Sequence, residues 1–379
     1  MMRRDCFVCA VGLGLLLQSG CDPIGPESIR ANRAEYNIAI QHTNDQELLL
    51  NLVRSHYRDT LYFTTVERIA ATQSMSRGLQ ATANASFLGN TPAVANPATQ
   101  FISRSNTQGV TLGPAIIAVT ENPTVFYAPI EGEKFVRQMM TPMNPDLLLL
   151  LVRSGQSIDR VLSVAVQEMN GLRNAPTASG GTPSYEPEFQ DFHAVVSLLR
   201  QLQREENLDF GRSQDGKQVE LRILHGAAMT PPAMQAKSLL KLQPNLDRFT
   251  IVAGVVRPDD HSIVLSTRSL IAAINYLSQG VEVPSRDIAA GRVRTTVHND
   301  GKTPFDWQEL LGGVFHVAFS DSQPDDASVA INYRGTWFYI PDNDLDSKST
   351  FVLLTQLIAL HSVPPAAGGP ILSIAVGGG

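Results

Sequence analysis

The sequence predicts an α+β fold in which helices and short antiparallel strands follow one another along the chain. Apolar residues at helical spacing and stretches with period-two alternation both occur. They interleave without the regular strand–helix–strand order of a doubly wound sheet. A third observation is the segment 60–127, which is rich in Ala, Ser, Thr, Asn and Gly. Period-two alternation at residues 79–87 and again from residue 101, with a turn signal at residues 89–92 between them, predicts a long, polar and alanine-rich β-hairpin inserted into the fold. An extended surface segment or a partly disordered insert is the alternative.

The first segment of the chain has the pattern of an export signal. A basic pair at residues 3–4 precedes an apolar run at residues 7–17, and two small residues at 19–20 come directly before Cys21. This order is a basic n-region, a short h-region and a small-residue cleavage site. The apolar run is shorter than the ~20 residues that a helix needs to cross a bilayer. We therefore predict a signal peptide at residues 1–20 that is cleaved, rather than a permanent membrane span.

The residues Gln18-Ser19-Gly20-Cys21 resemble the signal of bacterial lipoproteins, although an apolar residue is usual in place of Gln18. The resemblance implies that Cys21 becomes the new N-terminus and carries fatty acyl chains, palmitate among them. It also implies a cell-envelope location, on the inner or the outer membrane and facing the periplasm. Asp22 favours the inner membrane where enteric-type sorting applies. Ordinary secretion and a cytoplasmic N-terminus are the alternatives.

Charge and cysteine usage exclude several kinds of site. The chain has 30 Lys and Arg against 36 Asp and Glu, with a net charge of −6 and no basic stripe. Nucleic acid is therefore not expected as a partner. Of the three cysteines, Cys6 and Cys9 lie in the predicted signal and Cys21 is the predicted lipid site. The mature chain is expected to hold no disulfide and no thiolate metal site, and no cofactor is expected.

The rest of the chain is predicted to form a tether and two regions. Residues 21–34 contain two prolines and a glycine, which favour a lipidated tether. Residues 35–174 are predicted as a helical region that carries the 60–127 insert. The sequence APTASGGTPS at residues 175–184 is typical of a flexible linker. Residues 185–379 are predicted as an α+β domain.

Periodicity and turn signals predict the individual elements. Thr43 and Gln46 form a capping box that places the start of the first helix at about residue 44. Prolines at residues 142 and 145 interrupt the next helical stretch, and Gly171 ends it. The predicted helices are 44–57, 131–171, 186–206, 234–242, 268–277 and 347–361. The predicted strands are 219–224, 262–267, 314–319, 328–333, 336–340 and 371–376, and Arg334-Gly335 joins the clearest hairpin.

Three aspartates resemble the first half of a calcium loop. Asp342, Asp344 and Asp346 are spaced two residues apart, but Ser347 stands where the loop needs glycine and Leu353 where it needs glutamate. The alternative is that these carboxylates cap the helix that follows, where negative charge is favourable. We favour the capping role.

Motifs for catalysis are weak. Ser238 and Lys241 fit the S-x-x-K pattern of penicillin-recognising enzymes, but the accompanying S-D-N and K-T-G motifs are missing. The histidines are scattered and none are spaced as a metal pair: His42, His56, His193, His225, His261, His298, His316 and His361. No residue is therefore assigned as catalytic or metal-binding. An enzyme is the less favoured interpretation.

Two segments, Thr43–Arg54 and Tyr333–Phe351, resemble parts of a group of proteobacterial envelope lipoproteins. The resemblance implies an envelope location and assigns no activity. Its most specific positions are aromatic: Tyr333, Trp337, Phe338 and Tyr339. Strand alternation places Trp337 and Tyr339 on one face and Phe338 on the other. Core packing is the favoured interpretation, and a binding surface formed by Trp337 and Tyr339 is the alternative.

Together these observations predict a membrane-anchored envelope lipoprotein that acts as a binding or assembly component. Its expected partners are the membrane, through the lipid, and another envelope protein. Two other functions stay open. One is an envelope hydrolase with dispersed site residues, and the other is a subunit of an oligomeric outer-membrane pore built from residues 60–127.

Overall fold

The structure is a computed structural model that describes residues 26–78, 116–130, 132–224 and 226–361. The predicted α+β class is confirmed: helices alternate irregularly with strands that are mostly antiparallel. The helices are α1 (Pro26–Tyr57), α2 (Glu133–Met140), α3 (Pro145–Arg153), α4 (Ile158–Ala165), α5 (Gln190–Arg204), α6 (Pro231–Leu239), α7 (Leu270–Ser278), α8 (Ser285–Ala289), α9 (Gln308–Leu311) and α10 (Leu345–His361).

The strands form three sheets. The strands are β1 (Thr64–Gly78), β2 (Ile116–Pro129), β3 (Val166–Met169), β4 (Leu172–Arg173), β5 (Leu208–Arg212), β6 (Val219–Ile223), β7 (Arg248–Ala253), β8 (Ser262–Thr267), β9 (Ala318–Ser320), β10 (Ala327–Tyr333) and β11 (Thr336–Pro341). One sheet has the order β4-β3-β8-β7-β6-β5, in which only β7 and β8 are parallel. A second sheet has the order β10-β11-β9, and β1 pairs with β2.

The chain divides into two compact units. Within the described residues, one unit contains residues up to Leu61 and from Glu133 onward, and the other contains Tyr62 to Gly132. The second unit is the predicted hairpin, whose strands pair antiparallel from Thr64 opposite Pro129 to Gly78 opposite Ile116. The predicted alternation at 79–87, its turn and the stretch from residue 101 lie outside the described residues, as does the predicted strand 371–376.

Helix α7 lies at the centre of the first unit. Its apolar residues are spread around the helix, and Leu270, Ala273, Ile274 and Leu277 are all fully buried. A helix that is apolar on every side is stable only when other elements surround it. Here α1, α2, α4 and α10 all contact α7, and α1 also contacts β10. This packing brings the C-terminal end of α1 close to the end of α7.

The first helix begins earlier than predicted. It starts at Pro26, so the prediction that residues 21–34 form an irregular tether is wrong from that residue onward. Proline is favourable at the first position of a helix, where its missing N–H leaves no hydrogen bond unmade. The predicted capping box is also wrong. Thr43 lies inside the helix and donates to the Ile40 carbonyl, while the side chain of Gln46 donates to the Ala330 carbonyl of β10.

The helical stretch predicted up to Gly171 ends at Ala165, and the chain continues as the short hairpin β3–β4. Asn170 and Gly171 form its turn with φ values of 50° and 88°. Two residues with positive φ match a type I′ turn, for which Asn-Gly is the strongest sequence signal. The Asn-Gly pair thus indicates a hairpin turn at a place where the apolar periodicity indicates a continuing helix.

The prediction of a flexible linker at 175–184 is wrong. Pro176–Gly180 form a 3₁₀ turn in which Ala178 is fully buried, and neighbouring Ala175 is buried too. The segment is held in place in part by Ser179, whose hydroxyl accepts from the side chain of Arg268 at 3.1 Å. Arg268 is itself only 1% exposed. The Gly- and Ser-rich composition that suggests a flexible linker belongs here to a tight turn.

Arg268 is the most heavily hydrogen-bonded side chain of this region. Its guanidinium donates to the carbonyls of Ser163 (3.0 Å) and Val166 (2.7 Å), to the carbonyl of Asn174 and to Ser179 Oγ (3.1 Å). The guanidinium carbon also lies 3.8 Å from the ring centroid of Tyr276. Burial lowers the pKa of Arg268 to about 10, so it stays charged at neutral pH.

The other elements need smaller corrections. The predicted strand 314–319 is shorter and later, as Ala318–Ser320, while β5 and β7 were not predicted at all. Helices α5, α6, α7 and α10 and strands β6, β8, β10 and β11 lie at or near their predicted positions. In the described part of the chain, no helix combines the length and apolar content needed to cross a membrane.

Replacing Arg268 with leucine is expected to destabilise the protein by about 3 kcal/mol or more, since it removes the buried hydrogen bonds to the carbonyls of Ser163, Val166 and Asn174 and the contact with the ring of Tyr276. Urea unfolding followed by circular dichroism measures this loss. Arg173→Leu is the matched control, because the Arg173 side chain is 47% exposed and its ion pair with Glu188 lies at the surface. Equal stability of the two variants would show that Arg268 does not organise the fold.

Candidate functional site

A cleft of about 280 Å³ lies in the first unit, beside the C-terminal ends of α1 and α7. Helix α1 contributes His56, and the residues after α7 contribute Gln279 to Val283. The segments 293–296 and 305–308 complete most of the lining. The cleft therefore combines His56 with residues that lie far later in the sequence, most of them between 279 and 308.

His56 is the most unusual side chain of the cleft. It is only 6% exposed, and one ring nitrogen donates to the backbone carbonyl of Ser278. The other nitrogen, Nδ1, is buried and has no hydrogen-bond partner among the described residues. Burial lowers the pKa of His56 to about 4, so the imidazole is neutral at pH 7. In a neutral ring whose Nε2 carries the proton, Nδ1 is an acceptor.

Gln279 supplies a second acceptor. Its side chain is 3% exposed, and its Nε2 donates to the Asn275 carbonyl (2.9 Å) and to Ser278 Oγ (3.3 Å). These two bonds orient the amide and leave Oε1 as the acceptor, which is buried without a partner in the described part of the chain. An unpaired buried polar group costs about 1–3 kcal/mol, and folded proteins contain few of them. The cleft brings two such groups together.

Aromatic rings form another part of the lining. Phe305 is buried, and its ring lies edge-to-face with that of Trp307 at a centroid distance of 5.4 Å. Phe189 packs on Phe305 in the same manner at 6.1 Å. The backbone N–H of Phe305 donates to the Thr296 carbonyl at 2.9 Å, which ties this segment to the opposite stretch of the lining. The aromatic side of the cleft is thus held in place by packing and by backbone pairing.

Charged side chains stand on the exposed side of the cleft, and each has a partner. Arg294 donates to Ser184 Oγ at 3.3 Å, and Asp306 accepts from the backbone N–H of Gln308 at 2.9 Å. Glu282 Oε1 lies 3.0 Å from His316 Nε2. Positively and negatively charged side chains are therefore both present at the opening of the cleft, and neither sign forms a cluster without partners.

Gly280 fixes the chain between α7 and the cleft. A Cβ atom at this position would lie 2.6 Å from the Phe315 carbonyl oxygen, which is closer than real Cβ atoms come to other atoms. The Gly280 carbonyl in turn accepts from Val317 N–H at 2.9 Å. Only glycine permits this approach, so the residues that follow α7 are held against the 315–317 stretch.

A buried network holds the end of α1. The hydroxyl of Tyr57 donates to Asp287 Oδ2 at 2.6 Å, and Arg292 pairs with the other carboxylate oxygen at 2.5 Å. The hydrogen bond from Tyr57 lowers the pKa of Asp287, whereas burial raises the pKa of Tyr57. Asp287 lies on α8 next to Ile288, which also lines the cleft. The network therefore positions both His56 and Ile288.

The predicted surface residues Trp337 and Tyr339 lie elsewhere. The predicted alternation on β11 is observed: Phe338 is fully buried, while Trp337 and Tyr339 are half-buried on the opposite face. Neither lines the cleft. Tyr333 donates to Asp59 at 2.5 Å and so ties the hairpin to the residues after α1. A binding role for Trp337 and Tyr339 stays a prediction, and Cys21 lies outside the described residues.

The aspartate triplet has a structural role. Asp344 accepts from the backbone N–H of Ser347 (3.0 Å) and from its hydroxyl (2.6 Å), so it caps α10 as predicted. Asp342 pairs with Lys348 at 2.6 Å and Asp346 with Arg160 at 2.8 Å. The three carboxylates thus have separate partners. Among the residues that the structure describes, no group of His, Cys, Asp and Glu is arranged to hold a metal.

The S-x-x-K pair does not form a nucleophile site. Ser238 lies near the end of α6, and Lys241 follows it with φ of 55° at an exposed position. The lysine that is buried is Lys237, which directly precedes Ser238. Its Nζ donates to the carbonyls of Pro244 (2.6 Å) and Leu246 (3.0 Å). Its two acceptors are backbone groups, so its role is structural.

Sequence reasoning did not select the residues of the cleft. His56 belongs to the predicted helix 44–57 and is one of eight scattered histidines, and Gln279, Phe305 and Trp307 belong to no predicted motif. A weak signal existed in Gln279-Gly280, a polar residue and a glycine directly after an apolar helix. Comparison with protein families, with curated proteins and with solved structures finds no match to this chain.

The free energy of unfolding is expected to fall as the pH drops from about 6.5 to about 4. The unfolded chain binds a proton at His56 below about 6.5, whereas the folded chain does so only near 4. This site alone lowers stability by about 2 kcal/mol between pH 7 and pH 5. His56→Phe should remove that part of the loss when urea unfolding is compared at both pH values.

His261→Gln is the matched control for this pH effect, because the side chain of His261 is 57% exposed. It should retain the pH dependence of the unaltered protein. If His56→Phe and the unaltered protein lose equal stability between pH 7 and pH 5, His56 is not neutral and buried in solution.

Proposed function

We propose that this protein is a lipid-anchored component of a bacterial cell envelope that binds a small ligand in the cleft around His56 and Gln279. In this proposal Cys21 carries the acyl chains, and the folded unit acts beside the membrane. Two or three acyl chains anchor a protein firmly, since each buried methylene contributes about 0.8 kcal/mol.

The observation that carries the binding role is the pair of buried acceptors, His56 Nδ1 and Gln279 Oε1, beside the aromatic pair of Phe305 and Trp307. Ligand pockets in proteins combine an apolar, aromatic lining with a few placed polar groups. The acceptors reduce the stability of the ligand-free protein, and a bound donor would remove that penalty. Groups retained at such a cost are typical of functional sites.

The same geometry favours binding over hydrolysis. The buried hydroxyl that lines the cleft belongs to Thr296, and it donates to the Pro183 carbonyl at 2.9 Å. The ring of His56 donates to the Ser278 carbonyl rather than accepting from a hydroxyl. His298 and His316, which are next nearest in the chain to the lining, pair with Glu186 and Glu282. These contacts therefore do not form the hydroxyl–imidazole pair that a serine-type hydrolase needs.

An envelope protein partner is part of the proposal. It rests on the predicted location and on the half-buried aromatic residues Trp337 and Tyr339, which lie on a different part of the unit from the cleft. Half-buried Trp and Tyr side chains are frequent anchors of protein interfaces. A ligand cleft and a partner surface could thus be used at the same time.

Replacing Cys21 with serine is expected to move the protein from the detergent phase to the aqueous phase in Triton X-114 partition, because the acyl chains are lost. Intact-mass analysis of the unaltered protein should show a chain that starts at Cys21 with added fatty acyl mass. Cys9→Ser is the matched control, since this residue lies in the predicted signal and should leave both results unchanged. A mature chain that retains Met1, or that lacks acyl mass, contradicts the anchoring role.

A further inference from the structure

We infer that the cleft binds a neutral, hydroxyl-bearing ring, of which a single hexose unit is the simplest example. This inference rests on the proposed binding role and adds the chemical class of the ligand. Three properties of the cleft carry it: the kind of polar atoms that are unpaired, the charge around them, and the size and lining of the space.

The unpaired atoms require a donor. His56 Nδ1 and Gln279 Oε1 are both acceptors, because the other polar atom of each side chain already donates to a neighbouring group of α7. A carboxylate or a fully ionised phosphate ester has no proton to offer them and would add repulsion between lone pairs. A ring with two hydroxyl groups can donate to both, and an apolar ring can donate to neither.

The charges around the cleft favour a neutral ligand. An anion would meet Glu282 and Asp306 as well as the two acceptors, with Arg294 as the opposing charge. A cation that donates to the two buried acceptors would have to leave water for a lining of Val281 and Phe305. Glu282 and Asp306 would not compensate it there, because their carboxylates stand on the exposed side of the cleft. An uncompensated charge is expensive in such surroundings. Hydroxyl groups avoid both penalties.

The size and lining fit one ring. The volume of about 280 Å³ is close to the lower limit of the about 300–1,000 Å³ that is usual for ligand pockets. Phe305 and Trp307 offer aromatic surface, which packs against the C–H groups of a hydroxylated ring. Ile288 and Phe319 are 43% and 37% exposed and extend this apolar surface to the opening. Acceptors at the buried end and apolar groups toward the opening match a ligand that has both properties.

Trp307 provides the readout. The chain has two tryptophans, so Trp337→Phe leaves Trp307, in the lining of the cleft, as the single tryptophan, which is excited selectively over tyrosine at long wavelength. In this background, glucose, galactose and N-acetylglucosamine are titrated as neutral probes. Glucosamine and glucuronate are the charged counterparts with the same ring, and cyclohexanol is a less hydroxylated ring. We expect a saturable change in emission with at least one neutral sugar, and an affinity at least tenfold lower for both charged sugars and for cyclohexanol.

Variants of the acceptors separate binding from folding. His56→Phe and Gln279→Met should each weaken binding of the neutral sugar at least tenfold. Thermal unfolding should show that both variants are folded, and that the midpoint of His56→Phe is equal to or higher than that of the background protein at pH 7. The control is His193→Phe, because His193 also has an unpaired buried nitrogen but does not line the cleft. This control should leave binding unchanged.

Other results would overturn the inference in distinguishable ways. If glucuronate or glucosamine binds more tightly than the neutral sugars, the ligand class is wrong while the binding role of the cleft stands. If no probe changes the emission of Trp307, the inference about the ligand fails. This outcome does not depend on whether Cys21 carries acyl chains. If a neutral sugar binds equally to the background protein and to both acceptor variants, it binds at another place and the assignment of this cleft is wrong.

Discussion

The buried guanidinium of Arg268 is the interaction on which the rest of the first unit depends. A charge that leaves water for the interior is costly unless every donor finds a partner. Arg268 meets this condition with backbone carbonyls from the end of α4, from β3 and from Asn174, and with the ring of Tyr276 beneath it. Its backbone is paired too, since its N–H donates to the Ala165 carbonyl at 2.7 Å. One side chain thus joins a helix end, a strand and the 3₁₀ turn to the start of α7.

This constraint reaches the cleft through α7. The helix starts directly after Arg268 and Ser269, and Gln279, which follows its last residue, lines the cleft. Because most residues of α7 are buried, the helix cannot shift along its axis without opening the core. The close approach of Gly280 to the Phe315 carbonyl then fixes the path of the chain after the helix. The side-chain oxygen of Gln279 is therefore held in place as firmly as the side chains of the core.

Much of the fold could be predicted because it depends on neighbours in the sequence. The alternation on β10 and β11 and the turn at Arg334-Gly335 follow from local backbone preferences, and both residues of the turn have positive φ. Helix α10 and its cap Asp344 follow from local spacing in the same way. The errors at residues 26–44 and 175–184 arose where local composition was ambiguous. Residues 33–44 of α1 are mostly exposed and have no apolar period, and a Gly- and Ser-rich stretch serves equally for a linker or for a tight turn.

By itself, the sequence determined the α+β class, the hairpin insert and the face of β11 on which Trp337 and Tyr339 lie, since each depends on periods of two to four residues. Only the tertiary structure decided that His56 is buried, neutral and next to Gln279. No local pattern encodes that meeting, because it depends on the packing of α1 against α7 and on Gly280 and Tyr57, which hold the surrounding chain. Burial and the loss of hydrogen-bond partners are properties of the packed chain, and a site formed by them becomes visible only after the helices have been placed.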